Sequence, residues 1–106
     1  MSLVEIRITA PDSQVAERVS RLLVEGGLVA CVQEVPITST YVWNGAVERS
    51  TEVLLLAKTT AGSFDAVCAA VSRLHPYDVP EILAVPVSAA LGEYERWVEE
   101  SVANDS

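Results

Sequence analysis

The stretch Thr38-Ser39-Thr40-Tyr41-Val42-Trp43-Asn44-Gly45-Ala46-Val47-Glu48 constrains this chain more than any other. Asn and Gly both tolerate positive φ, so Asn44-Gly45 between β-prone flanks predicts a type I′ turn with a two-residue loop. That loop sets the register, with Trp43 facing Ala46 and Tyr41 facing Glu48. Strand-forming residues continue from about Val29 on one arm to about Lys58 on the other, well beyond the roughly 5–6 residues of an ordinary strand. A small domain cannot cover so long a ribbon, and its edges offer unpaired amides and carbonyls. The expectation is an oligomer in which other copies supply the cover.

Composition narrows the classes. At 106 residues the chain predicts a single domain over residues 1–106 with a real core. A formal charge of −8 with seven scattered Lys and Arg argues against nucleic acid, whose backbone is gripped by clustered cations. The absence of a run of about 18 apolar residues argues against a membrane span, and the first residues carry no basic, apolar leader pattern. These features predict a cytoplasmic protein. Cys31 and Cys68 lack Cys-x-x-Cys spacing and sit in apolar patterns, so both are expected to be unpaired and mostly buried.

Alternation at Val4, Ile6 and Ile8 predicts a first strand. Pro11 and an Asp12 or Ser13 cap start a helix whose apolar face is Val15, Val19, Leu22 and Leu23, and Gly26-Gly27 ends it. The run Val53-Leu54-Leu55-Leu56-Ala57 predicts a strand covered on both faces. Residues from Thr59 to Ser63 offer caps for a second helix with Phe64, Val67, Cys68, Val71 and Leu74 on its inner face, stopped at His75-Pro76. Ile82 to Val85 form a short strand, with Pro86 marking an edge. Tyr94, Trp97, Val98 and Val102 predict a C-terminal helix with an aromatic face, and Ala103 to Ser106 should fray. The order is that of an α+β, ferredoxin-like split βαβ fold (β-α-β-β-α-β) with a long hairpin and an extra C-terminal helix.

Six segments in order together resemble the CutA-type divalent-cation tolerance proteins. They are Thr9-Ala10-Pro11-Asp12, Val29-Ala30-Cys31-Val32, the hairpin from Thr38 to Glu48, Glu52-Val53 leading to Lys58-Thr59, His75-Pro76-Tyr77 with Pro80-Glu81, and Tyr94-Glu95-Arg96-Trp97. The resemblance covers nearly the whole chain. It implies a homotrimer knitted by the long hairpins, and a link to metal tolerance with copper as a divalent cation to be bound. Two positions depart from the family: Ile8 and Leu74 stand where some members carry a Cys and a second His. Pro36 runs directly into Ile37, one residue shorter than the usual Pro-Gly.

The sole histidine, His75, is a metal candidate only in company, with Cys31 and Glu81 as possible fellow ligands. The alternative is a helix-terminating His bonded to carbonyls of the last turn. Tyr41 and Trp43 share a strand face and, with Glu48, Lys58, Tyr77 and Trp97, are candidates for a cleft or interface between subunits. Tyr41 is expected to meet Glu48, and Lys58 to pair with Glu52 or Glu81. No Gly-x-Ser-x-Gly, phosphate-binding Gly loop or His-Glu-x-x-His is present, so the chain is not read as an enzyme. The rival reading is a trimeric signalling module that senses a small anion in its clefts, with Arg7, Lys58 and Arg73 as the available cations. The oligomer is checked by light scattering at micromolar concentration: a trimer mass is expected, and a stable monomer would remove this reading.

Overall fold

The computed structural model describes residues 2–102, so the fraying expected of residues 103–106 lies outside the described residues. In chain order the elements are β1 (Leu3–Ala10), α1 (Ser13–Glu25), β2 (Cys31–Trp43), β3 (Ala46–Thr60), α2 (Phe64–Leu74), β4 (Ile82–Pro86) and α3 (Gly92–Ser101). A 3₁₀ turn at Ala61–Ser63 joins β3 to α2. The four strands make one antiparallel sheet in the order β2-β3-β1-β4.

Alternation along the strands sorts the two faces. Ile6 and Ile8 of β1 lie opposite Ala57 and Leu55 of β3, all four buried, and α1 and α2 cover them with Val15, Ala16, Val19, Leu23, Val67, Ala70 and Val71. Each large aliphatic side chain removed from water here contributes about 1.5–3 kcal/mol. On α1 the buried face is centred on Val19 and Leu23; Leu22, expected inside, is 40% exposed because it turns onto the helix flank. The Asp12 carboxylate accepts a hydrogen bond from the Val15 amide at 2.9 Å, capping the helix. At the other end Gly27 adopts φ 72°, Leu28 N–H bonds Leu23 O, and Gly27 N–H bonds Val24 O. This is a Schellman stop, which explains Gly27; Gly26 has an ordinary helical φ of −80°, and a Cβ there would come 2.8 Å from the Leu22 carbonyl oxygen.

The opposite face is covered at one end only. There α3 lays Val98 and Val102 on Leu3, with Ala30 and Val87 alongside. The apolar run of β3 was expected to be covered on both sides. Leu55 and Ala57 are buried under the helices, whereas Leu54 and Leu56 on the other face remain partly exposed within one chain. The cysteines are unpaired, as expected, and each is intermediate in exposure, mostly but not fully buried within one chain. Cys31 lies on this half-open face, and Cys68 sits at the margin of an α2 stripe centred on Val67, Ala70 and Val71.

The β2-β3 register runs without interruption from Cys31 opposite Lys58 to Trp43 opposite Ala46. The shortened Pro36-Ile37 segment therefore fits inside a regular ladder. β1 pairs only with Val53 to Thr60 of β3, so the distal part of the hairpin projects as a two-stranded ribbon, and the molecule is 44 Å in its longest dimension. Asn44 and Gly45 adopt φ 50° and 77°, the pattern of a type I′ turn. In such a hairpin the residues flanking the loop exchange both hydrogen bonds, so odd-numbered residues of β2 bond β3 and even-numbered ones turn their amides to the open edge. Pro36 is even-numbered, and its missing N–H falls where no ladder bond is lost.

A Cβ added to Gly45 would meet nothing within 4 Å, so the cost of substitution there is purely conformational. Gly45→Val is expected to lose about 1–2 kcal/mol of stability, since a β-branched residue is poorly accommodated at positive φ. Urea unfolding checks this against Gly62→Ala, whose added Cβ also meets open space. An unchanged midpoint for Gly45→Val would contradict the role given to the turn.

Candidate functional site

His75 ends α2 and is 7% exposed. The expectation that its ring would bond the last turn of its own helix is corrected: the backbone N–H bonds Val71 O, while the ring reaches across to β1. Nε2 donates to the Thr9 carbonyl at 2.7 Å, and Nδ1 accepts from the Tyr77 amide at 3.2 Å. Both bonds require the proton on Nε2. The reason lies in the sheet. Odd-numbered residues of β1 face β4, and β4 begins at Ile82 opposite Ile8, so the Thr9 carbonyl points past the end of its partner strand. His75 supplies the donor that the ladder no longer provides.

The same contacts fix the loop after α2. Tyr77 leans on the His75 ring with centroids 4.8 Å apart, and its hydroxyl donates to Glu52 Oε2 at 3.1 Å. Between this loop and the emerging ribbon lies a cleft of about 760 Å³. Tyr41, Trp43, Ser39 and Glu52 enter it from the half-open sheet face, Thr9 from β1, and Tyr77, Asp78 and Glu81 from the loop. Trp43 is 63% exposed at the rim. Tyr41 does face Glu48 in the register, yet its hydroxyl meets the diagonal Ser50 Oγ at 3.2 Å in place of the Glu48 carboxylate. Alternation on β2 links Ser39 to Tyr41 and Trp43 and is a signal that sequence reasoning passed over; Asp78 offered none.

Cys31, Lys58 and Trp97 gather at the other end of the sheet. Lys58 Nζ contacts Glu5 Oε2 at 3.3 Å and Gln33 Oε1 at 2.9 Å, not Glu52 or Glu81. Register explains the correction, because Glu5 lies directly opposite Lys58, while Glu52 is six residues along the same strand, about 20 Å away. Arg7 also grips Glu5 at 3.0 Å. Burial alone would push the Glu5 carboxyl up, but Arg7 and Lys58 together hold it below its ordinary value. Cys31 Sγ lies 3.7 Å from the Tyr94 hydroxyl, and Tyr94 packs on Trp97 with ring centroids 5.7 Å apart.

The family model described as CutA1 divalent ion tolerance protein matches residues 4–101. The chain belongs to the CutA1 divalent ion tolerance family. It is 44% identical over 97 residues to the divalent-cation tolerance protein CutA of Thermus thermophilus, covering 91% of this chain and 94% of that protein. Protein CutA of Mus musculus is 41% identical over 101 residues, but the match spans only 57% of the mouse protein. Among solved structures, Thermus thermophilus CutA1 superposes with a TM-score of 0.93 at 42% identity, covering 95% of this chain and 99% of that one. A CutA from Archaeoglobus fulgidus, described as a periplasmic divalent cation tolerance protein, gives 0.93 at 38%, covering 94% and 98%.

The residues of one CutA1 chain do not fit a preformed metal centre. His75 spends both ring nitrogens on backbone groups, and Cys31 lies at the far end of the sheet from it. Glu81 opens onto the cleft. Among the described residues no three His, Cys, Asp or Glu side chains converge as ligands, and copper or zinc needs roughly three or four donors at one point.

Two phenols give this CutA1 chain an alkaline signature. Burial, then the bond to Glu52, pushes the Tyr77 hydroxyl up to about 12; burial, then Cys31, pushes Tyr94 up to about 12 as well. A phenol raised above its ordinary value of about 10 contributes stability that is complete below pH 10 and lost as pH climbs to about 12. Tyr77→Phe and Tyr94→Phe are each expected to shallow the fall in unfolding free energy over that window. Equal alkaline slopes in wild type and both variants would contradict the assignment.

Proposed function

We propose that this chain acts in divalent-cation tolerance, copper included, as a cytosolic homotrimer of ferredoxin-like subunits without catalytic activity of its own. The projecting ribbon carries the reading of assembly. An isolated two-stranded hairpin is at best marginally stable in water, and here it presents Val42, Trp43 and Val47 to solvent within one chain. Neighbouring copies laid along the ribbon and over Leu54 and Leu56 would bury what one chain leaves open. Two unpaired cysteines support a reducing compartment. Among the described residues no helix is long and apolar enough to cross a membrane.

In this reading divalent cations meet the protein through the exposed carboxylates of the cleft, Glu81 and Asp78, and His75 remains structural. A set of His75, Cys31 and Glu81 would have to come from different subunits, and His75 would first have to release the Thr9 carbonyl. The rival reading of a small-anion sensor is not favoured. Its proposed cations do not meet in the cleft: Arg7 and Lys58 are held by Glu5, and Arg73 lies on the outer helix layer beside Leu22 and Leu74.

Copper titration by calorimetry at matched pH tests the assignment, with assembly checked in each sample. His75→Ala is expected to lose stability by about 1–3 kcal/mol through the orphaned Thr9 carbonyl, yet to leave copper affinity nearly unchanged. Loss of a true ligand or its support costs on the order of 10–100-fold. A stoichiometric copper site abolished by His75→Ala in an intact trimer would overturn the structural role.

A further inference from the structure

We propose that His75 is an acid-sensitive latch on the loop after α2: a second proton on its ring releases the Tyr77 amide, and with it the segment that carries Tyr77, Asp78 and Glu81. The ring's two bonds go to groups of opposite kind, with Nε2 on the Thr9 carbonyl and Nδ1 on the Tyr77 N–H. Neutral imidazole fits both, because it has one donor and one acceptor, whereas an imidazolium has two donors. The added proton, taken from solvent, lands on Nδ1 and points at the Tyr77 N–H. Turning the ring over brings no relief, since both nitrogens then donate. The Thr9 carbonyl can hold either form of the ring, so the bond given up is the one to Tyr77.

The loop has little else to hold it. Pro76 and Pro80 carry no N–H, and among the described residues the main chain of residues 76–81 makes no hydrogen bond besides the one from Tyr77. The remaining ties run through the Tyr77 side chain, whose ring leans on the imidazole and whose hydroxyl donates to Glu52. Both depend on Tyr77 staying beside His75. The imidazole is buried within one chain, so the latch is complete in a single subunit. The inference therefore rests neither on how copies assemble nor on a metal.

Among the described residues, no ionisable side chain on the surrounding elements bonds the ring and could accept its second proton. Asp12 at the start of α1 caps that helix, Glu52 on β3 holds the Tyr77 hydroxyl, and Tyr41 on β2 meets Ser50. On β1, Glu5 and Arg7 pair with each other. Arg73 of α2 lies in the outer groove beside Leu22 and Leu74, and Asp78 and Glu81 are exposed in the loop itself. Histidine is the side chain whose ordinary charge change falls between about pH 5 and 8, and His75 is the only one in the chain.

NMR of the assembled wild-type protein between pH 8 and pH 5 tests this, with the single imidazole and the Tyr77 amide followed in the same sample. Protection of the Tyr77 amide against hydrogen exchange, corrected for the intrinsic effect of pH, is expected to fall about tenfold, the scale of one lost hydrogen bond. Its midpoint should coincide with that of the imidazole titration, while the core amides of Ile6 and Val71 keep their protection. His75→Gln retains a donor and an acceptor but takes up no proton, so protection at Tyr77 should become independent of pH. If that variant does not fold, the two wild-type midpoints decide alone. A ring that stays neutral down to pH 5, Tyr77 protection that is unchanged when the ring is charged, or a loss of protection that persists in His75→Gln would each overturn the proposal.

Discussion

The register of the β2-β3 hairpin is the constraint on which the rest of this molecule depends. Two positive φ angles at Asn44 and Gly45 determine which residues stand opposite one another for thirteen successive pairs. A slip of one residue would turn every side chain of a strand to the other face. Tyr41 and Trp43 would then leave the cleft for the face that carries Thr40 and Arg49, and Val32 would leave the helix-covered core for the half-open side. A local preference of two residues thereby governs the chemistry of a site formed with a loop more than thirty positions later in the chain.

Most of the architecture was legible because it is written in local signals. The strand alternation, the Asp12 cap, the paired glycines and the Asn-Gly turn each act within a few residues, and the observed elements follow them. What was not legible depended on partners distant in sequence. Nothing in His75-Pro76-Tyr77 reveals that the imidazole must satisfy a carbonyl at Thr9, because that need arises only where β4 stops short of β1. Lys58 posed the same problem, since Glu5 becomes its neighbour only through a register between strands far apart in the chain. The partial exposure of Leu22 and of the two cysteines shows a further limit. Periodicity identifies an apolar face, but the packing partner decides how wide a stripe is covered.

Of the six residues expected at a cleft or interface, Tyr41, Trp43 and Tyr77 line one cleft, whereas Trp97 and Lys58 belong to the opposite end of the sheet. The two ends differ in electrostatic character. At one, Lys58 and Arg7 share the Glu5 carboxylate; at the other, carboxylates face aromatic rings without a basic residue lining the cavity. Membership of the CutA1 family agrees with a protein that deals with positive charge. It does not require that the charge be concentrated on a single ion in a closed shell, and the geometry of this chain is better suited to carboxylates that act separately.

Pro36 has a consequence for the outer edge of β2. The even-numbered residues there offer amides and carbonyls to whatever lies alongside, and Pro36 interrupts that series with a carbonyl that has no companion donor. A strand zipping along this edge would find its hydrogen-bond ladder broken near the middle, with a short usable stretch on either side. Continuous stacking of chain upon chain is thereby penalised, while brief, finite contacts remain open. The edge is built to stop growth as well as to permit pairing.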